Sequence, residues 1–171
     1  MPASAPAFAP HDHHRCVRSA LQGAEELASA RGLRLTPVRR RTLEILLERH
    51  GAMGAYDVLQ RLAADGFGHQ PPVAYRALDF LVENGLAHRI QRLNAFAACA
   101  HPGHEDHAAF LICRGCDAVA EVPAGPLRAA LEEGARALGF SVERANIEAL
   151  GLCETCRDAE HHAASATGAR E

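Results

Sequence analysis

Residues 113–116 read Cys-Arg-Gly-Cys and residues 153–156 read Cys-Glu-Thr-Cys, with 36 residues between the two pairs. A CxxC turn aims two thiolates at one point from neighbouring backbone positions. Two such turns complete a tetrahedral sulfur shell, which suits zinc with its lack of redox chemistry. Gly115 fits the tight turn of the first pair. A thioredoxin-like redox site would need one CxxC at a helix start in a βαβ setting, and neither pair has that context. The spacing exceeds that of a minimal zinc ribbon, so a helix and a strand must lie between. Metal binding here closes a loop and contributes folding free energy directly.

The surrounding pattern supplies those elements. Ala109–Cys113 and Val119–Val122 are strand-like around the first cysteine turn, Pro126–Leu138 is amphipathic at helical spacing, and Phe140–Leu152 resumes as one or two strands. An α/β domain of about fifty residues is too small to be stable without a staple or a partner. From Arg157 onward the chain is polar and Ala-rich, and residues 158–171 are expected to form a disordered tail.

The N-terminal half has a different texture. Cys16–Ala30 places Val17, Leu21, Ala24, Leu27 and Ala28 on one helical face, with Gly32 as its stop. Thr36-Pro37 is a helix start, Thr as N-cap and Pro at the first helical position, followed by a stripe of Val38, Thr42, Ile45 and Leu46. Ala55–Ala63 repeats the pattern with Val58, Leu59 and Leu62. A fourth helix opens at Pro71-Pro72 and stops at Asn84-Gly85. Leu86–Gln91 and Ala95–Cys99, separated by Arg92-Leu93-Asn94, form a hairpin pattern. Helices followed by a hairpin are the layout of a winged helix-turn-helix, so the expected class is α+β: a winged helix over 15–99, then an α/β domain over 108–157. Residues 1–14 read as a disordered leader, and 100–107, beginning Ala-His-Pro-Gly-His, as a hinge.

Bulk properties bound the function. The 171 residues carry a net charge of −3, and all 18 basic side chains are Arg. Residues 15–93 hold 12 Arg against 8 acids, whereas 94–171 hold 6 Arg against 12 acids. A basic half joined to an acidic half fits an anion-binding module coupled to something else. No run of 18 apolar residues indicates a membrane span, and Met1–Pro10 lacks the basic region and apolar core of a secretion signal. The expected compartment is therefore the cytoplasm, where paired thiols favour metal over disulfide.

At this point the residues resemble the ferric uptake regulator family, particularly its zinc uptake regulator branch. The matching stretches are Leu35-Thr-Pro-Val-Arg39, Ala55-Tyr-Asp-Val-Leu59, Tyr75-Arg-Ala-Leu-Asp-Phe-Leu81, Phe110-Leu-Ile-Cys-Arg-Gly-Cys116 and Ile147-Glu-Ala-Leu-Gly-Leu-Cys153. The resemblance implies a winged helix, a short hinge and an α/β dimerisation domain. It also implies a homodimer that binds a palindromic double-stranded DNA operator when a regulatory metal is loaded. Such a protein is a repressor and not an enzyme, with no membrane and no small-molecule substrate beyond the metal ion.

On the helix from Pro72 to Asn84, Ala74, Ala77, Leu78 and Leu81 share one face while Tyr75, Arg76, Asp79 and Glu83 fall on the other. Arg can fork onto guanine, and Tyr can contact phosphate or a thymine methyl. The resemblance likewise assigns DNA contact to Tyr75 and Arg76. Arg39, Arg40 and Arg41 are phosphate-contact candidates. The family usually has Thr-Val before the Tyr-Arg, and here the residues are Val73-Ala74, which removes one hydroxyl from the helix start.

For a regulatory metal, the resembling zinc regulators use His, Cys, His and Glu at positions that fall on His88, Cys99, His107 and Glu121, with His104 as the substitute for His107. A shell of two nitrogens, one sulfur and one oxygen is a tetrahedral zinc set, and its thiolate favours zinc over manganese or iron. One structural zinc at Cys113, Cys116, Cys153 and Cys156 and one regulatory zinc per subunit are thus expected. A third family site is not expected, because Arg144-Ala145-Asn146 offers no later His and Leu150 stands where zinc regulators often carry His. His11, His13, His14 and Cys16, like His161-His162, could bind metal loosely and are assigned no specific role.

Other classes are weighed against this reading. An iron or peroxide sensor of the same family would prefer nitrogen and oxygen ligands over Cys99. A zinc metalloenzyme needs an open coordination position and a base, yet a Cys₄ shell is closed and no HExxH is present. A thiol oxidoreductase would turn over in a disulfide-reduction assay. A zinc-stapled interaction adaptor would have no affinity for DNA.

Overall fold

The computed structural model describes residues 6–9, 11–103 and 108–167. The chain divides into two compact units, Pro10–His104 and the remainder, residues 1–9 with 105–171.

The first unit begins with helix α1 (His13–Ala30), earlier than the periodicity places it, because Asp12 caps the helix by accepting the Arg15 N–H at 3.1 Å. Helix α2 (Pro37–Leu47) starts at the proline. Thr36 occupies the cap position through its extended backbone alone and makes no side-chain cap bond, so this part of the Thr-Pro reading is corrected. In the same helix the Thr42 hydroxyl is fully buried and donates to the Val38 carbonyl at 2.8 Å, which lets it sit in the apolar stripe. Helix α3 (Ala55–Ala64) buries Val58, Leu59 and Leu62.

Helix α4 (Pro71–Glu83) buries Ala74, Ala77, Leu78 and Leu81. Gly85 stops it at φ +70°, its N–H reaching the Val82 carbonyl while the Leu86 N–H reaches Leu81. That stop reverses the chain into strand β1 (Ala87–Ile90), paired antiparallel with β2 (Ala95–Ala98) in the register Ala87↔Ala98 and Ile90↔Ala95. Asn94, at φ 46°, takes the left-handed turn position. Met53 bridges Phe96 through reciprocal backbone bonds of 2.8 and 2.9 Å, tying the segment before α3 to the hairpin. Leu43, Ile45, Leu62, Leu78, Leu81 and Leu86 make the core beneath the four helices and the wing.

The second unit is built on a three-stranded sheet of order β4-β3-β5. Strand β3 (Ala108–Cys113) pairs antiparallel with β4 (Val119–Pro123) and parallel with β5 (Ile147–Gly151), which puts Cys113 opposite Gly151. Helix α5 (Gly125–Ala137) connects β4 to β5. The region expected to hold one or two strands over Phe140–Leu152 holds one, β5, because the segment after Gly139 (φ +70°) alternates poorly and ends in the polar Glu143-Arg144-Ala145-Asn146.

Two terminal expectations are also revised. Helix α6 (Glu154–Thr167) runs through most of the stretch read as a tail, in keeping with the high helix propensity of its alanines. In the stretch read as a leader, Pro6–Phe8 forms a single 3₁₀ turn. Phe8 borders a shallow cavity of about 470 Å³ with Leu111, Leu150 and Cys153.

Helix α5 buries none of its residues. Leu127, Leu131, Leu138 and Phe140 are exposed by 50, 46, 85 and 67%, a concentration of bare apolar surface with no counterpart in the first unit.

Truncating a fully buried side chain of α4 leaves a cavity. Leu81→Ala is expected to cost about 2–5 kcal/mol in the first unit, to be read as a lower denaturant midpoint for helical signal. An unchanged midpoint would contradict this account of the core.

Candidate metal centres and nucleic-acid surface

The four CxxC cysteines converge within the second unit, their sulfurs lying within 4.8 Å of one another. The sheet register produces the convergence. Cys113 ends β3, and the Asp117 N–H returns to its carbonyl at 2.9 Å, closing a turn whose left-handed residue is Asp117 at φ 56°. Arg114 donates to the Gly151 carbonyl at 2.8 Å, drawing the end of β5 alongside, and Cys153 donates its N–H to the Cys113 sulfur at 3.3 Å. Cys156 follows on the first turn of α6.

Gly115 lies in the turn, as expected, and a second constraint acts on it. A Cβ there would lie 3.0 Å from both Cβ and Sγ of Cys156, and 3.3 Å from Leu152 Cδ2. The glycine makes room for the second cysteine pair.

The electrostatics call for a cation. Burial alone would raise the Cys113 thiol, but the N–H groups of Cys153, Gly115 and Cys116 outweigh it and bring the thiol down to about 6. The neighbouring Cys153 and Cys113 sulfurs, with some burial, push Cys156 up to about 12. The Ala118 N–H favours the Cys116 thiolate, yet burial and the Cys113 and Cys153 sulfurs raise it on balance. One thiolate is readily formed, and further negative charge at the same point is resisted. A divalent metal removes that resistance. Geometry agrees: sulfurs at tetrahedral corners about 2.3 Å from zinc are about 3.8 Å apart, and Cys116 Sγ lies 4.0 Å from Cys153 Sγ. The four residues fit zinc.

In the first unit, His88 and Cys99 sit on the wing. His88 pairs with Ala97 across the hairpin, Cys99 follows β2 with its N–H on the Leu86 carbonyl at 3.0 Å, and their ligand atoms are within 4.8 Å. Cys99 is 5% exposed. In the second unit, Glu121 is half-buried on β4 opposite Phe110. His107, and its substitute His104, lie outside the described residues.

On α4, Tyr75 is 51% exposed, and Arg76, Asp79 and Glu83 point outward with it. Arg76 makes no hydrogen bond or ion pair with another described residue. Val73 and Ala74, where the family pattern carries Thr-Val, turn inward: Ala74 is fully buried and Val73 packs on the core.

The three consecutive arginines are committed internally. Arg39 donates to the Arg34 carbonyl at 2.8 Å and stacks 3.6 Å over the Phe80 ring. Arg40 pairs with Glu25 and, at 3.0 Å, with Glu44. Arg41 pairs with Asp65 at 2.6 Å. Tyr56, at the start of α3, is 70% exposed; an aromatic so bare beside a helix N-terminus is a contact candidate that one-dimensional patterning did not single out.

A winged helix joined to a small sheet domain with a four-thiolate centre defines a metal-centred member of the winged-helix class. The model of the ferric uptake regulator family matches residues 30–150, and the chain belongs to that family. The zinc uptake regulation proteins of Escherichia coli K12 and Shigella flexneri are each 36% identical to it over 141 residues, 82% of either chain. A solved zinc uptake regulator complexed with zinc and DNA superposes with a TM-score of 0.78 at 35% identity, covering 85% of this chain and 97% of that one. Holo XcZur superposes at 0.73 and 37% identity, covering 82% and 98%. These relatives place the chain with the zinc uptake regulator branch.

On the structural reading of the four thiols, Cys113→Ser is expected to lose one equivalent of tightly held zinc and to unfold the second unit at lower temperature, read by metal analysis and thermal melting. Normal zinc content in a stable Cys113→Ser protein would remove the assignment. Gly115→Ala is expected to weaken the same site through its clash with Cys156.

Proposed function

We propose that this chain is a zinc-responsive, DNA-binding transcriptional repressor of the cytoplasm, acting as a homodimer on a palindromic operator. The observation that carries this reading is the division of one α4 helix into a buried Ala/Leu face and an outward face bearing Tyr75 and Arg76. A chain so arranged is similar along most of its length to a regulator solved with zinc and DNA.

In this reading Arg76 forks onto a base edge in the major groove and Tyr75 contacts phosphate or a thymine methyl. Tyr56 adds a contact at the start of α3. Arg39, Arg40 and Arg41 serve as phosphate contacts only by exchanging internal partners, so their larger contribution is to hold α2 in place.

Two zincs per subunit divide the work. The Cys₄ zinc is structural. The regulatory zinc takes His88 and Cys99 from the wing, Glu121 from the sheet domain and His107, with His104 as substitute, from the segment between. Ligands drawn from both units restrict the orientation of the winged helix. Loaded zinc therefore lowers the conformational cost of setting two recognition helices at operator spacing. The protein needs no catalytic group, and its only small ligand is the metal.

The bare surface of the second unit supports homodimerisation. Leu127, Leu131, Leu138 and Phe140 fit the apolar core of an interface between two copies of this chain. Leu131→Asp is expected to yield monomers in sedimentation while keeping its zinc. Unaltered dimers would redirect the interface elsewhere.

Operator binding by gel shift, with zinc, iron(II) or a chelator, tests the main reading. Wild type is expected to bind only with zinc. Arg76→Ala is expected to lose roughly 10- to 100-fold in affinity, and Cys99→Ser to fail at limiting zinc. Metal-independent binding, or Cys99→Ser binding as tightly as wild type at limiting zinc, sinks the sensor assignment, and preference for iron(II) moves the chain to the iron-sensing branch.

A further inference from the structure

His11, His13 and His50 meet within the first unit although 37 and 39 residues separate them, their ligand nitrogens all within 4.8 Å. His50 Nε2 lies 2.8 Å from His11 Nε2 and 3.2 Å from His13 Nδ1. The other nitrogen of His13, Nε2, donates to the Glu48 carbonyl at 3.0 Å. A carbonyl can only accept, so that bond fixes the proton on Nε2 and turns the Nδ1 lone pair toward His50 in the neutral ring.

Hydrogen bonding among neutral rings does not satisfy this arrangement. One hydrogen on His50 Nε2 can serve only one of its two neighbours well. A proton on His11 instead leaves the lone pairs of His13 and His50 facing each other. A cation at the centre accepts all three lone pairs. Nitrogens 2.0–2.1 Å from a metal, at angles between square and tetrahedral, are about 2.8 to 3.4 Å apart, and both measured separations fall in that range. The His13–Glu48 bond is also the outer contact that metal-bound imidazoles ordinarily make. The position is held from both sides: the Asp12 cap sets the start of α1 and so aims His13, while His50 is partly buried in the turn after α2.

We propose that His11, His13 and His50 form a separate metal site that takes a borderline divalent cation, zinc foremost, and fastens the start of α1 to the turn between α2 and α3. It differs in kind from the thiolate centre. Three neutral imidazoles leave a fourth position for water and contribute no charge, so the site binds more weakly and exchanges readily. It gives the N-terminal histidines, which in the sequence look like an unspecific cluster, one defined partner in His50. The ions expected are those that imidazole selects, with copper(II) and nickel(II) as competitors and magnesium or calcium excluded.

The test uses the full-length, untagged chain titrated with zinc against a chromophoric chelator, followed by native mass spectrometry. The wild type is expected to bind one weaker equivalent that the double variant His11→Gln/His13→Gln loses or binds at least about tenfold more weakly, with the Cys₄ equivalent and the circular dichroism unchanged. His50→Gln is expected to show the same loss. Both are repeated on Cys99→Ser, so that a missing regulatory equivalent is counted separately. Cobalt(II) in the site should give ligand-field bands without a thiolate charge-transfer band. Equal stoichiometry and affinity in the double variant and wild type, or a thiolate band accompanying the weaker equivalent in Cys99→Ser, overturns the proposal.

Discussion

Four thiols brought to one point are the constraint on which the second unit depends. Two polypeptide turns deliver them, and both are governed by one backbone fact, the parallel pairing of β3 with β5 that sets Cys113 beside Gly151. A parallel pair needs a long crossover, here α5 and the irregular segment after it. That crossover is entropically costly to close in a domain whose connecting helix buries nothing of its own. A metal held by the four thiols would supply the closure. Without it the depressed Cys113 thiol and the raised Cys156 thiol describe a cluster that holds little negative charge, and the knuckles lose the interaction that defines their spacing.

The first unit solves its stability problem differently, with a continuous Leu/Ile/Val core and few special devices. Its arginines show how the same side chain is used in two ways. Arg39, Arg40 and Arg41 are spent on a carbonyl, an aromatic face and the carboxylates of Glu25, Glu44, Glu48 and Asp65. Arg76 is left to solvent on the outer face of α4. Exposed ion pairs of this sort contribute little stability each, but a guanidinium already committed to neighbours is a poorer reader of DNA than one presented bare. A count of positive charge along the sequence cannot draw that distinction, because partners such as Glu25 and Asp65 lie 15 and 24 residues away.

What was legible in the sequence followed from local physics. Prolines 37, 71 and 72, Gly85 and the apolar periodicity mark the starts of α2 to α4, the end of α4 and the wing within a residue or two, whereas α2 stops at Leu47, short of the Gly51 that its pattern points to. The cysteine spacing marks the thiolate centre. What was not legible depended on neighbours distant in the chain. Gly115 lies in the turn its spacing indicates, but the close approach of Cys156 that also keeps the position bare comes from 41 residues further along the chain. The helix over Glu154–Thr167 is hidden by a polar, Ala-rich composition that lacks a clear apolar stripe and so reads as tail. His50 is an unremarkable loop histidine in one dimension, and only folding sets it against His11 and His13.

The chemistry of the shells bears on which site can carry a signal. A closed thiolate shell whose metal is part of the folding free energy makes a poor sensor, since losing the ion would unfold the domain rather than report a concentration. A signal needs a site whose ligands exist in both states and whose occupancy alters a conformational equilibrium. His88 and Cys99 meet the first requirement within the wing, because the hairpin register holds their ligand atoms close before any ligand from elsewhere is added. Half of the proposed regulatory shell is thus brought together by the hairpin alone. The remainder of the proposed shell must come from outside the winged helix, and only such a shared shell lets metal binding do work on the orientation of α4. A site completed within the wing would bind zinc equally well in every orientation and shift nothing.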